Sequence, residues 1–261
     1  MPPVRSSCAL PWCTMRRVGD LDLSELAAVR RSRGHDELPY PFAHTRKGAH
    51  RADHQPNVSG ELSDWVDAYL TAEVWVSCRV HHSDPTSADG RLLAYLSGTT
   101  AYLASQRDTE DVVDVSSLAS ADLGAAVADS IGLTGPGRRE QIVIPGYVGY
   151  FTAQAATEFD CDDYDHPVRI SAGEAPHADV RLVADDDVTA LATIESRWQP
   201  PRNWGTEWTG NTLACVQIGE DGDYLYTPDF AYAVPVSRQA LGNRIGALIA
   251  RDHFTILDGL G

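Results

Sequence analysis

At 261 residues, with 43% hydrophobic and 22% charged residues, the chain has an ordinary globular composition and is long enough for one large domain or two small ones. A formal net charge of -16 argues against nucleic acid or an anionic membrane surface as partner, because the average field repels both. No run of about eighteen apolar residues is present, which excludes a spanning helix, and five scattered cysteines (Cys8, Cys13, Cys78, Cys161, Cys215) suit a reducing compartment, so a cytoplasmic location is expected.

Residues 1–20 contain basic residues without an apolar stretch of signal-peptide length, and read as a disordered tail in which Met15 is an alternative start. LDLSELAAVRRSRG follows as a helix: Asp22 stands three before Glu25 as a capping box and Gly34 is the terminator. The prolines of LPYPF favour an extended segment. Residues 43 to 57 hold three of the nine histidines without apolar period and read as a surface loop. In GELSDWVDAYLT, Leu62, Trp65, Val66, Tyr69 and Leu70 share one helical face.

The period then changes. In EVWVSCRVH, Val74, Val76, Cys78 and Val80 alternate with Trp75, Ser77, Arg79 and His81, predicting a half-buried strand whose valine face is the core side and whose other face looks outward. RLLAYLSG, TTAYLASQR and VVDVSSLA continue the series, and ASADLGAAVADSIG closes it as a helix. Links this short require antiparallel pairing. RVHHSDPTSADGRL is then a long hairpin loop, broken by Pro85 and turned by Asp89-Gly90.

LTGPGRRE marks the boundary between an N-terminal half, 21–135, and a C-terminal half, 136–261. Beyond it QIVIP reads as a strand, YVGYFTAQAATEF as a helix, Asp160 to Asp165 as an acidic loop, and Asp186 to Trp198 as a helix with aspartates at its positive end. WGTEW, TLACVQIG, DYLYT and FAYAVP follow as short strands, and SRQALGNRIGALIAR as the closing helix. The segments from Thr99 and from Asn211 both run strand, acidic turn, strand, break, amphipathic helix, an internal pseudo-repeat. Two helix-plus-sheet units predict a pseudo-symmetric α+β protein.

Chemistry-bearing motifs are sparse. His81 and His82, adjacent on a strand, point to opposite faces and do not chelate one ion together. His50, Asp53 and His54 have helical chelating spacing without a His-Glu-x-x-His pattern, and the aspartates at 160, 162, 163 and 165 lack the glycine and glutamate of a calcium loop. A metal-dependent or other hydrolase using the His50/Asp53/His54 or the His81/His82 region is the rival reading; no metal ligand set and no catalytic residue is assigned. Trp198 is expected in the core where helix meets sheet. Trp204 and Trp208, alternating on WGTEW, are as readily partner anchors as core residues, and Tyr224 and Tyr226 on one face of the next strand raise the same question.

The order LDLSELAAVRRSRGHDELPYPF, helix, EVWVSCRV/RLLAYLSG/TTAYLASQR, SLASADLGAAVADSIG, then NTLACVQIG, GDYLYTPDF and ALGNRIGALIA resembles the EspG family over about residues 20 to 252. The resemblance implies one EspG-like domain, α+β, a pseudo-twofold repeat with a central antiparallel sheet and two flanking helical bundles. It implies a non-enzymatic cytosolic chaperone of type VII (ESX) secretion that binds the apolar helical tip of PE–PPE heterodimers, with no cofactor and no membrane insertion. The family binds through the sheet, the loop between the second and third strands, and the C-terminal bundle, which places the loop Val80 to Arg91 at the recognition position. Arg79, His81, His82, Ser83 and Asp84, with Trp204, Trp208, Tyr224 and Tyr226, are the partner-binding candidates. The acidic 160–183 stretch and the Trp-rich WQPPRNWGTEW segment depart from the family pattern.

Overall fold

The computed structural model describes residues 15–35, 38–44, 60–107, 110–145, 181–198 and 212–258, the last six of these as backbone only. The helix expected in YVGYFTAQAATEF, the Asp160 to Asp165 run and the WGTEW strand lie outside these residues.

The first half begins with β1 (Arg16–Asp22), α1 (Leu23–Ser32) and α2 (Glu61–Thr71), and continues with β2 (Val74–His82), β3 (Gly90–Ser97), β4 (Thr100–Gln106), β5 (Val112–Ala119) and α3 (Leu123–Ser130). The second half holds β6 (Ile142–Val143), β7 (Arg181–Leu182), β8 (Val188–Arg197), β9 (Thr212–Ile218), β10 (Gly222–Tyr226), β11 (Ala233–Pro235) and α4 (Arg238–Asp258). All the strands join one sheet in the order β1-β5-β4-β3-β2-β8-β9-β10-β11-β6-β7, antiparallel except at β6–β7. The α+β class and the antiparallel meander over β2–β5 are as the sequence predicts. Counted outward from the β2–β8 pair, β3 and β9, β4 and β10, β5 and β11 hold matching positions, one strand away from the match that the sequence repeat suggests.

Local chemistry explains the helix ends. Asp22 is the N-cap of α1 and its carboxylate accepts from Ser24 N at 2.7 Å, satisfying one orphan donor. Past the other end Gly34 takes φ +86°, a conformation that costs glycine little. The leucine, tryptophan and tyrosine spacing of α2 buries Trp65, Val66 and Tyr69, as its period requires.

Two expectations are corrected. Arg16–Asp22 is a strand paired with β5, so the N-terminal tail is ordered from Arg16 onward. Asp186 to Trp198 is not a helix: three aspartates form a single 3₁₀ turn and Val188–Arg197 is β8. β-Branched Val188, Thr189, Thr193 and Ile194 favour the strand, and neighbours on both sides, β2 and β9, supply hydrogen-bond ladders that propensity alone does not register.

The sheet is covered on both faces. On one, Val74, Val76, Cys78 and Val80 of β2 pack with Leu92, Ala94, Ala192, Ile194 and Cys215 beneath α3 and α4. On the other, Trp75, Leu93 and Tyr95 pack with Leu23, Leu26, Trp65 and Tyr69 of α1 and α2. The outward face expected at Trp75 and Ser77 is therefore internal, and these residues keep only 4% and 3% exposure. Burial of each large apolar side chain contributes about 1.5–3 kcal/mol. Two polar tips in this layer are satisfied, Trp75 Nε1 donating to Tyr69 O at 3.1 Å and the Tyr95 hydroxyl donating to Trp65 O, while the buried Trp65 Nε1 has no partner among the described residues. Tyr69 meets Trp75 and Tyr95 edge-on, at 6.2 and 5.7 Å between ring centres.

The helices α3 and α4 cross at glycine. A Cβ on Gly124 would stand 2.5 Å from Gly242 O and 2.8 Å from Gly246 N, both backbone atoms that cannot rotate away. Gly124→Ala is expected to separate the helices and to destabilise the protein by about 1–3 kcal/mol, the usual cost of overpacking. Urea denaturation of the two proteins measures it as a lower midpoint at unchanged slope.

Candidate functional site

Strand alternation carries β2 out from under α1 and α2. Trp75 and Ser77 are covered, but two and four residues further on Arg79 and His81 share the same face and are exposed. Across the ladder Arg79 stands opposite Thr193 and His81 opposite Leu191 of β8, both only partly buried. To one side lies the α1–α2 core. To the other lies a third cluster, in which Ala214, Val216, Tyr224 and Ile142 are fully buried. Arg79, His81, Leu191 and Thr193 thus form an open strip between two covered regions.

The β2–β3 hairpin stands at the end of this strip. Ser83 N donates to Thr189 O at 3.0 Å and its hydroxyl donates to Val188 O, so the loop base is fastened to β8. Within the loop Asp84 accepts from Thr86 N at 2.9 Å and from the Thr86 and Ser87 hydroxyls, an Asx turn. His81 Nδ1 lies 2.8 Å from Asp89 Oδ1, closing the loop across its neck. Arg91, the first side chain after the turn, donates to Ala43 O at 3.1 Å, and Gln106 clamps the same backbone through Ala43 N and O. The hairpin is an internally bonded structure on a rigid base, more than a solvated tip.

Among the sequence candidates, Arg79, His81, Ser83 and Asp84 gather at this strip and loop, while His82 points to the opposite face with Val80, as adjacency on a strand demands. Tyr224 and Tyr226 are corrected: exposures of 0% and 4% place them inside the third cluster, and the Tyr224 hydroxyl is taken up by Asp221 at 2.8 Å. Trp198, expected in the core, is 54% exposed just beyond the end of β8. Trp204 and Trp208 lie outside the described residues, as do His50, Asp53 and His54. Arg91, Leu191 and Thr193 were missed. The alternation of β3 brings Arg91 to the same face as Leu93 and Tyr95, but the β8 pair depends on a strand that the sequence does not disclose.

Backbone and side-chain donation by Thr86 holds the Asp84 carboxyl below its usual range. Burial pushes the thiols of Cys78 and Cys215 well up, with Glu195 and Asp223 adding to the effect, so neither is a thiolate nucleophile at neutral pH. Among the described residues no group of three or more histidine, cysteine or acidic side chains is arranged to hold a metal ion. No helix there is long and apolar enough to cross a membrane.

No protein-family model matches the sequence, and no curated protein matches it either. Among solved structures, the chain is similar to one in the structure of the Mycobacterium tuberculosis type VII secretion system chaperone EspG5 in complex with the PE25–PPE41 dimer. The identity is 10% and the TM-score 0.46, over 90% of this chain and 96% of that one.

Two measurements test the loop. A depressed aspartate contributes above its unfolded value of about 3.9 and that contribution is lost as pH falls through the folded value, so Thr86 amide protection should be intact at neutral pH and decline below about pH 4. Asp84→Ala should show the unprotected behaviour at every pH in hydrogen exchange. Second, His81→Ala combined with His82→Ala is expected to move global stability by no more than about 0.5 kcal/mol, read by thermal melting with and without chelator; a metal site would lose far more.

Proposed function

We propose that this protein is a non-enzymatic secretion chaperone or adaptor that covers the apolar helical tip of a PE–PPE heterodimer, or a client of the same build, and keeps it soluble in the cytoplasm for type VII secretion. The observation that supports this reading is the open strip of Arg79, His81, Leu191 and Thr193, walled on both sides and ending at the bonded β2–β3 loop. Polar side chains beside a partly buried leucine, next to a core, suit the polar rim of a protein interface. The segment order shared with the EspG family adds to it. In this reading Arg79, His81, Ser83 and Asp84 contact the client directly, while His82, on the far face, serves the loop. Trp204 and Trp208 remain anchor candidates.

We also propose that residues 21–135 and 136–261 are two halves of one domain, related by a near-twofold rotation about an axis through the β2–β8 pair. The matching positions of β3 and β9, β4 and β10, and β5 and β11 support it, as does the pairing of α3 with α4.

The test replaces Ser83 to Asp89 with a short Gly/Ser linker and measures capture of co-expressed PE–PPE heterodimers beside circular dichroism. Because the loop adjusts partner choice more than the fold, ellipticity should be retained and capture lost or redirected to other pairs. Undiminished capture of the same pair would sink the recognition role.

A further inference from the structure

In the β2–β3 ladder Arg79 lies directly opposite Arg91. Both side chains project from the face that carries the open strip, since Arg79 alternates with Ser77 and Trp75, and Arg91 with Leu93 and Tyr95. Like charges directly opposite one another on antiparallel strands are unfavourable, and this pair is placed where the structure does little to offset it. Arg91 spends one N–H group on the neutral carbonyl of Ala43. Arg79 has no hydrogen bond and no ion pair among the described residues. The acids closest along the ladder are already engaged: Asp89 with His81 at 2.8 Å, and buried Glu195, opposite Ser77, with Arg197 at 3.0 Å. A chain with a net charge of -16 has acids in plenty to neutralise an arginine pair. Among the described residues none pairs with Arg79, which stands opposite Thr193 in the strip.

We propose that Arg79 and Arg91 form a carboxylate-reading site that recognises an acidic residue flanking the apolar tip of a helical protein client. The inference rests on the reading of the strip as a client surface and adds the chemistry by which the client is selected. Guanidinium groups carried by directly opposed residues offer planar forks of N–H donors, which suit a carboxylate better than a lysine pair would. The surrounding negative field repels acidic proteins in general, so only an acid presented together with an apolar surface that fits the Leu191–Thr193 floor gains enough to bind. A client carboxylate offsets the repulsion between the two arginines when it arrives.

The experiment uses the full chain, with the arginine Nε–H resonances followed by NMR. The probe is a helical peptide with an apolar leucine tip flanked by glutamates, compared with a twin in which glutamine replaces each glutamate. The expected result is movement of the Arg79 and Arg91 Nε–H signals with the glutamate peptide alone, weakening as salt is raised. R79Q should bind that peptide at least about tenfold more weakly, with a melting temperature equal to or above that of wild type. Equal binding of both peptides, or an R79Q protein that binds as wild type does, overturns the site; should R79Q fail to fold, the comparison of peptides on wild type decides. A second arm co-expresses wild type and R79Q with PE–PPE heterodimers. Capture by both alike overturns the carboxylate site and leaves the chaperone reading standing. Peptide discrimination without capture of any heterodimer upholds the site and removes the PE–PPE client.

Discussion

The ladder between β2 and β8 is the constraint on which the rest of the molecule depends. Eight residue pairs, from Trp75 with Arg197 to His82 with Ala190, join strands that lie far apart in the sequence and make one sheet out of two halves. Without that ladder β2 would be an edge, and its exposed N–H and C=O groups would invite pairing with another chain. Both faces of β2 are internal near Trp75, and the face that carries Arg79 and His81 emerges further along while Val80 stays buried. The same strand thus belongs to the core at one end and to the candidate surface at the other, with no break in its backbone.

Rigidity follows from this arrangement. The side chains of the candidate surface sit on strands held by neighbours on both sides, and the adjoining loop is bonded to β8 at its base and to itself through Asp84. Binding then requires little ordering of the protein, so less of the contact energy is spent on lost side-chain and loop freedom. Layering supplies the support: α1 and α2 on one face, α3 and α4 on the other, with the α3–α4 crossing drawn tight by Gly124 and Gly242.

How much of this was legible in the sequence depended on whether a segment's neighbours were local. The meander from Val74 to Ala119 could be read because alternation and short turns leave few options, and α1 and α2 because caps and periodicity agree. Thr189, Thr193 and the alanines of β8 support either period, and only the two flanking strands decide; those strands come from residues 74–82 and 212–218. The two-sided burial of Trp75 and Ser77 was hidden for a related reason: alternation identifies two faces but does not say that helices cover both. Tyr224 looked like a surface aromatic because its strand is short, yet Ile142 and Val183, from distant segments, close over it. The strip was half visible. Its β2 side lay in the sequence, and its β8 side did not exist until that segment was a strand.

The outermost strand at the β1 end bears on how so wide a sheet avoids growing wider. β1 contains a register shift between Arg17 and Gly19, and its first two residues are exposed arginines tied to Glu61, Asp20 and Asp114. A kinked, charged border is a poor template for an incoming strand, because the kink spoils the spacing of the free N–H and C=O groups and the charges resist desolvation. The sheet therefore carries its own terminator on that side, and its hydrogen-bond ladder is not open to extension there.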